Sequence, residues 1–213
     1  MHQCDAILID MDGTLVDSTA FGARLWRRFA SRWDVDGDEV VEFAHGRPTS
    51  ATVSAYAPAE ALEAELEVLE RDELDGDGVV PIAGAVALVA SLDGFPWALV
   101  TSATRAVAQH RMRSAGLPLP TVLVGSDDVE HGKPDPEPFL RAAEALGVDP
   151  SRCVVLEDSP AGLAAAAAAG MRAIQVGEHE PAVDGVLVQL PDLTGLTVEL
   201  GEESGAILRW STA

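Results

Sequence analysis

The sequence predicts an α/β fold: a parallel sheet covered by helices on both faces, three layers deep, with an all-helical segment inserted near the N-terminus. Three observations predict it. Between residues 82 and 176, apolar runs of strand length alternate with stretches of helical length. Residues 6–9 form a further apolar run, far from that alternation, ending in an acidic Asp-Gly turn. Residues 18–78 carry helical spacing and no strand pattern. Repeated strand–helix–strand crossovers build parallel sheets and leave ligands to bind outside the carboxyl ends of the strands.

The first strand is Ala6 to Ile9, which runs into Asp10-Met11-Asp12-Gly13-Thr14. In residues 18–33 Phe21, Leu25, Trp26 and Phe29 recur at helical spacing, and 59–73 is rich in alanine, leucine and glutamate. Asp75-Gly76-Asp77-Gly78 is a flexible turn that closes the helical segment. The alternation then runs as helix 82–92, strand 96–101, helix 104–115, strand 121–125, helix 136–147, strand 152–157, helix 159–169 and strand 172–176. Residues 178–213 read as irregular, with an apolar run at 186–190, a short hairpin near 196–208 and Trp210 as an anchor for the tail. There is no internal repeat.

The chain of 213 residues is long enough for one buried core, or for a core carrying a smaller inserted domain. Hydrophobic residues at 47% and charged residues at 23% are ordinary for a globular domain. No apolar run has the length of a membrane span, and no basic region followed by an apolar stretch opens the chain, so a cytoplasmic protein is expected. A formal charge of −21 repels nucleic acid and anionic membranes, so neither is an expected partner, and an anionic substrate needs local cations or a metal to draw it in. Cys4 and Cys153 flank apolar runs and read as small buried residues in a reducing compartment. Of the 14 basic residues Lys133 is the sole lysine, which singles it out as a position where a compact ammonium is wanted.

Four chemical motifs fall at four strand ends. In Asp10-x-Asp12-Gly13-Thr14-Leu15 a turn beginning between the two carboxylates can aim both at one centre, where their charge calls for a hard divalent ion. In Thr101-Ser102-Ala103 a hydroxyl is delivered just before a helix start, and hydroxyl and free N–H groups together offer donors to a phosphoryl oxygen; Ser and Thr are also ordinary helix caps. In Gly132-Lys133-Pro134-x-Pro136-x-Pro138 prolines restrict the loop that carries the lone lysine, whose charge lets an anionic nucleophile and a phosphate approach one another. In Val154-Val155-Leu156-Glu157-Asp158-Ser159-Pro160 an apolar strand ends in two acids that either complete a magnesium site or cap the next helix.

These four motifs, in this order and at matching strand ends, resemble the haloacid dehalogenase superfamily over nearly the whole chain. The resemblance implies a Rossmann-like core made of residues 1–17 and 79–213, and makes 18–78 a helical cap that sets substrate specificity. His45-Gly46-Arg47-Pro48-Thr49, Ala55-Tyr56-Ala57-Pro58, Val80-Pro81-x-x-Gly84-Ala85 and the extended Lys133 loop look like those of the sugar-phosphate and glycerol-phosphate phosphatases. By this resemblance Asp10 is the nucleophile that forms an aspartyl-phosphate, and Asp12 is the general acid/base. Ser102, Ala103 and Lys133 hold the phosphoryl group, and Arg47 and His45 contact the substrate from the cap. Asp10, Asp158 and the backbone carbonyl of Asp12 bind Mg2+, with Glu157 acting on the metal directly or through water. A small phosphate ester is the expected partner, and the chain is expected to be a monomer or weak homodimer.

Relatives with other chemistry fit less well. A dehalogenase has no use for Asp12, and an imine-forming phosphonatase needs a lysine that residues 18–78 lack. A β-phosphoglucomutase shares the four motifs, but the histidine that follows its first motif has no counterpart in Ser18-Thr19-Ala20-Phe21-Gly22-Ala23-Arg24-Leu25. A binding protein that had lost turnover would show damage at a chemical position, and Asp10, Asp12, Lys133 and Asp158 are all intact.

Overall fold

The computed structural model describes residues 1–44, 49–177, 185–201 and 205–211. Its elements in chain order are β1 (His2–Cys4), β2 (Ala6–Ile9), β3 (Val16–Asp17), α1 (Thr19–Trp33), α2 (Gly37–Ala44), α3 (Thr49–Tyr56), α4 (Leu62–Leu74), β4 (Val80–Pro81), α5 (Ala85–Ser91), β5 (Trp97–Val100), α6 (Arg105–Ser114), β6 (Val122–Val124), α7 (Glu137–Leu146), β7 (Cys153–Glu157), α8 (Pro160–Ala168), β8 (Arg172–Val176), β9 (Val186–Leu190), β10 (Leu196–Leu200) and β11 (Ala206–Trp210). They divide into two compact units, residues 1–17 with 80–213, and residues 18–79.

The first unit is the three-layer α/β/α core. Its six-stranded sheet has the order β6-β5-β2-β7-β8-β9, and every pairing in it is parallel. Strands buried on both faces need apolar side chains throughout, and Ala6, Ile7, Leu8 and Ile9 of β2 are all fully buried. One face packs Leu8, Ala98, Val155 and Ala173 against Phe139, Ala142 and Ala143 of α7 and Leu163, Ala165 and Ala166 of α8. The alanines of α8 let helix and sheet approach closely. On the other face Ile7, Leu99, Val154 and Ile174 are buried, as are the apolar sides of α5 and α6.

The C-terminal region departs from the irregular tail that its sequence suggests. Val186–Leu190, expected only as an apolar run, adds a sixth strand to the central sheet, while β10 and β11 form the antiparallel hairpin expected near 196–208. The third strand of that second sheet is β1, which pairs with the far edge of β11. Alternation explains it: Ala206 and Leu208 point inward and are buried. Strand β1, three residues of His-Gln-Cys, is too short and polar to announce itself. Cys4 and Cys153 are both free and buried.

The second unit is helical. Helix α1 packs on α2 and α4, and α3 on α2 and α4, around Phe21, Leu25, Phe29, Val40, Val53 and Leu69. Arg32 clamps Glu65 of α4 through a half-buried ion pair of 2.6 Å. The chain leaves and re-enters the core unit on β3 and β4, which pair antiparallel, Val16 with Pro81 and Asp17 with Val80. The second crossing falls just beyond the Asp-Gly turn, because Arg24 Nη2 donates to the carbonyl of Asp77 at 2.6 Å and ties the turn to α1. Among the described residues no helix is long and apolar enough to cross a membrane.

Candidate active site

Sheet register builds the centre of the site. Ile9 pairs with Leu99 on one side and with Leu156 on the other, so Asp10, Val100 and Glu157 follow as a row at the carboxyl edge. There the sheet order reverses direction, the position where open α/β sheets bind ligands. Lys133 reaches this row from the loop before α7. Its Nζ donates to Asp10 Oδ1 at 2.5 Å, to Glu157 Oε2 at 2.7 Å and to the carbonyl of Val100 at 3.2 Å. The side chain is 5% exposed, and its ammonium lies 5.1 Å from the ring centre of Phe139. Burial works to lower the ammonium, but Asp10 and Glu157 together raise it above its ordinary value, so it stays charged.

Glu157 is a brace. Besides Lys133, its Oε1 accepts from the backbone N–H groups of Asp158 and Ser159 at 3.2 and 3.0 Å and from Ser159 Oγ at 2.9 Å. Ser159 Oγ in turn accepts from Gly162 N at 3.0 Å and starts α8. A side chain at residue 162 has no room, since a Cβ there would lie 2.0 Å from the Glu157 carboxylate. The same logic fixes Gly13. Its φ of +86° suits glycine, and a Cβ would fall 2.1 Å from Asp158 Oδ2. The two glycines thus let the chain pass tightly over the acids.

Asp10, Glu157 and Asp158 each offer a carboxylate oxygen, and the three oxygens lie within 4.8 Å of one another. Burial first and Glu157 second push the Asp10 carboxyl well above its usual range despite Lys133. The same two causes raise Asp158 to about 7. Three carboxylates surround the single Lys133 ammonium, an excess of two negative charges when all three are ionised, which one divalent cation would offset. A bound cation reverses the direction of such shifts. The donor set is all oxygen, compact and anionic, which fits Mg2+.

Not every predicted residue faces this centre. The Asp12 carboxylate accepts from Arg111 Nη1 of α6 at 2.7 Å, through its Oδ2. Ser102 is exposed just past the end of β5. Ala103 N donates to Thr101 Oγ1 at 3.1 Å, Arg105 N to Asp127 Oδ1 at 2.9 Å and Val107 N to Thr104 Oγ1 at 3.5 Å. The expected free N–H groups around the start of α6 are in these cases already taken, because Asp127 and the two threonines reach them first. His45 and Arg47 lie outside the described residues. Sequence reasoning missed Arg111, although a signal existed: it follows Val107 by four and Ala108 by three, on the buried side of α6.

A family model described as haloacid dehalogenase-like hydrolase matches residues 4–170. The chain is a haloacid dehalogenase-like hydrolase. Hexitol phosphatase A of Escherichia coli is 37% identical to this hydrolase over 204 residues, 92% of this chain and 94% of the relative. Glycerol-1-phosphate phosphohydrolase 2 of Saccharomyces cerevisiae is 36% identical over 185 residues, 81% of this chain and 74% of the relative. Among solved structures, CbbY from Rhodobacter sphaeroides in complex with phosphate matches this hydrolase with a TM-score of 0.77 at 26% identity, covering 89% of this chain and 95% of that one. The matched region of the family model includes Asp10, Ser102, Lys133, Glu157 and Asp158.

Proposed function

We propose that this hydrolase is a Mg2+-dependent phosphatase that acts on a small sugar or polyol phosphate monoester through an aspartyl-phosphate intermediate. The observation that carries the reading is the buried Lys133 ammonium held between Asp10 and Glu157. A fixed positive charge at the nucleophile lets two anions, carboxylate and phosphoryl group, come together. Relatives named for hexitol phosphatase and glycerol-1-phosphate phosphohydrolase activity support the substrate class.

Asp10, Asp158 and the backbone carbonyl of Asp12 would hold Mg2+, with Glu157 orienting Asp158 and Lys133 around it. Bound there, the cation neutralises charge on the nucleophile and on the phosphoryl oxygens. Asp10 attacks phosphorus while the bond to the leaving oxygen breaks, and Asp12 gives that oxygen a proton. Water then attacks the aspartyl-phosphate, Asp12 takes up its proton, and the bond between Asp10 and phosphorus breaks to release phosphate. Lys133 and the Ser102 hydroxyl hold the phosphoryl oxygens, with the backbone at Ala103 beside them. Residues 18–78 act as the cap, from which Arg47 and His45 contact the leaving group.

The test is phosphate release from a panel of glycerol, hexitol, hexose and nucleotide monophosphates, with and without Mg2+, in wild type and Asp10→Asn. Metal-dependent release from a polyol or sugar phosphate that vanishes in the variant is the expected outcome. No release, with isomerisation of β-glucose 1-phosphate instead, would replace the phosphatase reading with a mutase.

A further inference from the structure

The loop that carries Lys133 has little to pack against. Glu130, His131, Gly132, Pro134 and Asp135 are exposed, while the Lys133 side chain among them is 5% exposed. Such a loop is held by polar contacts or it moves. Glu137, in the first turn of α7, supplies two of those contacts. Its Oε1 accepts from the backbone N–H of Glu130 at 3.0 Å, and its Oε2 from that of His131 at 2.8 Å. These two N–H groups, Glu130 first, hold the carboxyl below its ordinary range and so keep it charged. An acid in the first turn ordinarily serves its own helix. Here Asp135 Oδ1 accepts from the N–H of Glu137 at 2.9 Å, and the Glu137 side chain reaches back across the loop instead. From the next turn of α7, Arg141 Nε lies 3.1 Å from Glu137 Oε1.

We propose that Glu137 is a positioning residue for Lys133: by closing the loop at its base onto the start of α7, it fixes how far the lysine reaches toward Asp10 and the phosphoryl group. The inference rests on the phosphatase reading, in which Lys133 holds phosphoryl oxygens. Lys133 follows the clasped His131 by two residues and precedes Glu137 by four, so joining those two points leaves its backbone little freedom. With the base closed, Nζ meets Asp10, Glu157 and the carbonyl of Val100 together. With the base open, the exposed loop has lost two of the bonds that set its course, and the ammonium is no longer held where the phosphoryl group arrives. A misplacement of about 1 Å in a positioned group can cost on the order of 10²-fold in rate.

The test compares rate with affinity for inorganic phosphate, the product that occupies the place of the phosphoryl group. With the best ester of the substrate panel, Glu137→Ala should lower kcat/KM by about 30-fold or more. It should also raise the inhibition constant of inorganic phosphate by about 10-fold, as the charge-assisted bond from Lys133 weakens. A variant that had only lost folded protein would show a lower kcat at an unchanged inhibition constant, because the molecules that stay folded bind phosphate as before. Glu137→Gln, which keeps one acceptor oxygen for two N–H groups, should shift both quantities by less, and it decides the matter if the alanine variant folds poorly. Arg141→Gln removes the ion pair on the helix but leaves the clasp, and should change both quantities by about 2-fold or less. A phosphate inhibition constant that stays at the wild-type value would overturn the role, with or without a loss of rate. So would an Arg141→Gln variant as damaged as Glu137→Ala, since that traces the effect to the helix and not to the loop. A wild-type protein that hydrolyses none of the esters would instead overturn the phosphatase reading, and this role with it.

Discussion

At the residue scale the site is a problem in electrostatics solved by a single ammonium. Lys133 stands against Asp10 and Glu157 with both carboxylates buried, at 6% and 1% exposure. Removing it leaves two buried acids without their cation, so Lys133→Met should cost about 3–5 kcal/mol in urea unfolding at neutral pH. The cost should shrink toward acid pH, where Asp10, whose carboxyl is already raised by burial and by Glu157, takes up a proton. Gly13 is the second sensitive position. Gly13→Ala forces a left-handed backbone on alanine and drives a methyl group into Asp158 Oδ2. The Mg2+ concentration that half-saturates its thermal shift should rise about 10-fold or more, as when support for a metal ligand is lost. The lone lysine was legible in the sequence by its isolation. The need for glycine at 13 and 162 was not, because it arises from Asp158 and Glu157, which approach only in the folded chain.

At the scale of elements, the strands and helices of the core follow the apolar periodicity closely, as with β5 at Trp97–Val100 and α7 at Glu137–Leu146. The part of the chain hardest to read was the C-terminal sheet. Its strands are short, and one of them, β1, comes from the opposite end of the chain. This sheet has a buried face of its own. Leu208 is fully buried in β11, between β1 and β10. Leu208→Ala should cost about 2–5 kcal/mol in urea unfolding, whereas a loosely attached tail would tolerate it with a change near zero. The N-terminal end of α6 gives a second lesson. Thr101-Ser102-Ala103 suggested a ready phosphate cradle, but Asp127 and the two threonines occupy donors there, and the nearby Ser102 is the exposed hydroxyl.

For the whole molecule, the acid cluster couples metal, pH and stability. Asp158 is raised to about 7 by burial and then by Glu157, and Asp10 is raised for the same reasons. A carboxyl raised on folding keeps a proton that the unfolded chain has already lost. Its contribution to stability is therefore full below the unfolded value of about 4 and falls as pH rises toward about 7. The melting temperature of the metal-free protein should drop between pH 5 and pH 7.5. Asp158→Asn should flatten that slope, which separates the cluster from the self-repulsion of a chain carrying −21 charges. Mg2+ competes with those protons, so it should raise the melting temperature more at pH 7.5 than at pH 5. Thermal melts in Mg2+ and in chelator at the two pH values check all three, and a Mg2+ shift independent of pH would contradict the site.

The sequence by itself determined the alternating core, the helical run that follows residue 17 and the motifs that carry Asp10, Lys133, Glu157 and Asp158. Those follow from local periodicity and from motifs a few residues long, which need no knowledge of what packs against them. Only the tertiary structure decided that Ile9 aligns with Leu99 and Leu156, putting Lys133 in contact with Asp10, Val100 and Glu157 at once. It also decided that Glu157 braces the Lys133 ammonium, that β1 completes a C-terminal sheet and that Arg111 holds Asp12. The physical reason is common to all four. Each contact joins residues from separate elements, and the register and packing that bring them within hydrogen-bonding distance exist only once the sheet has formed.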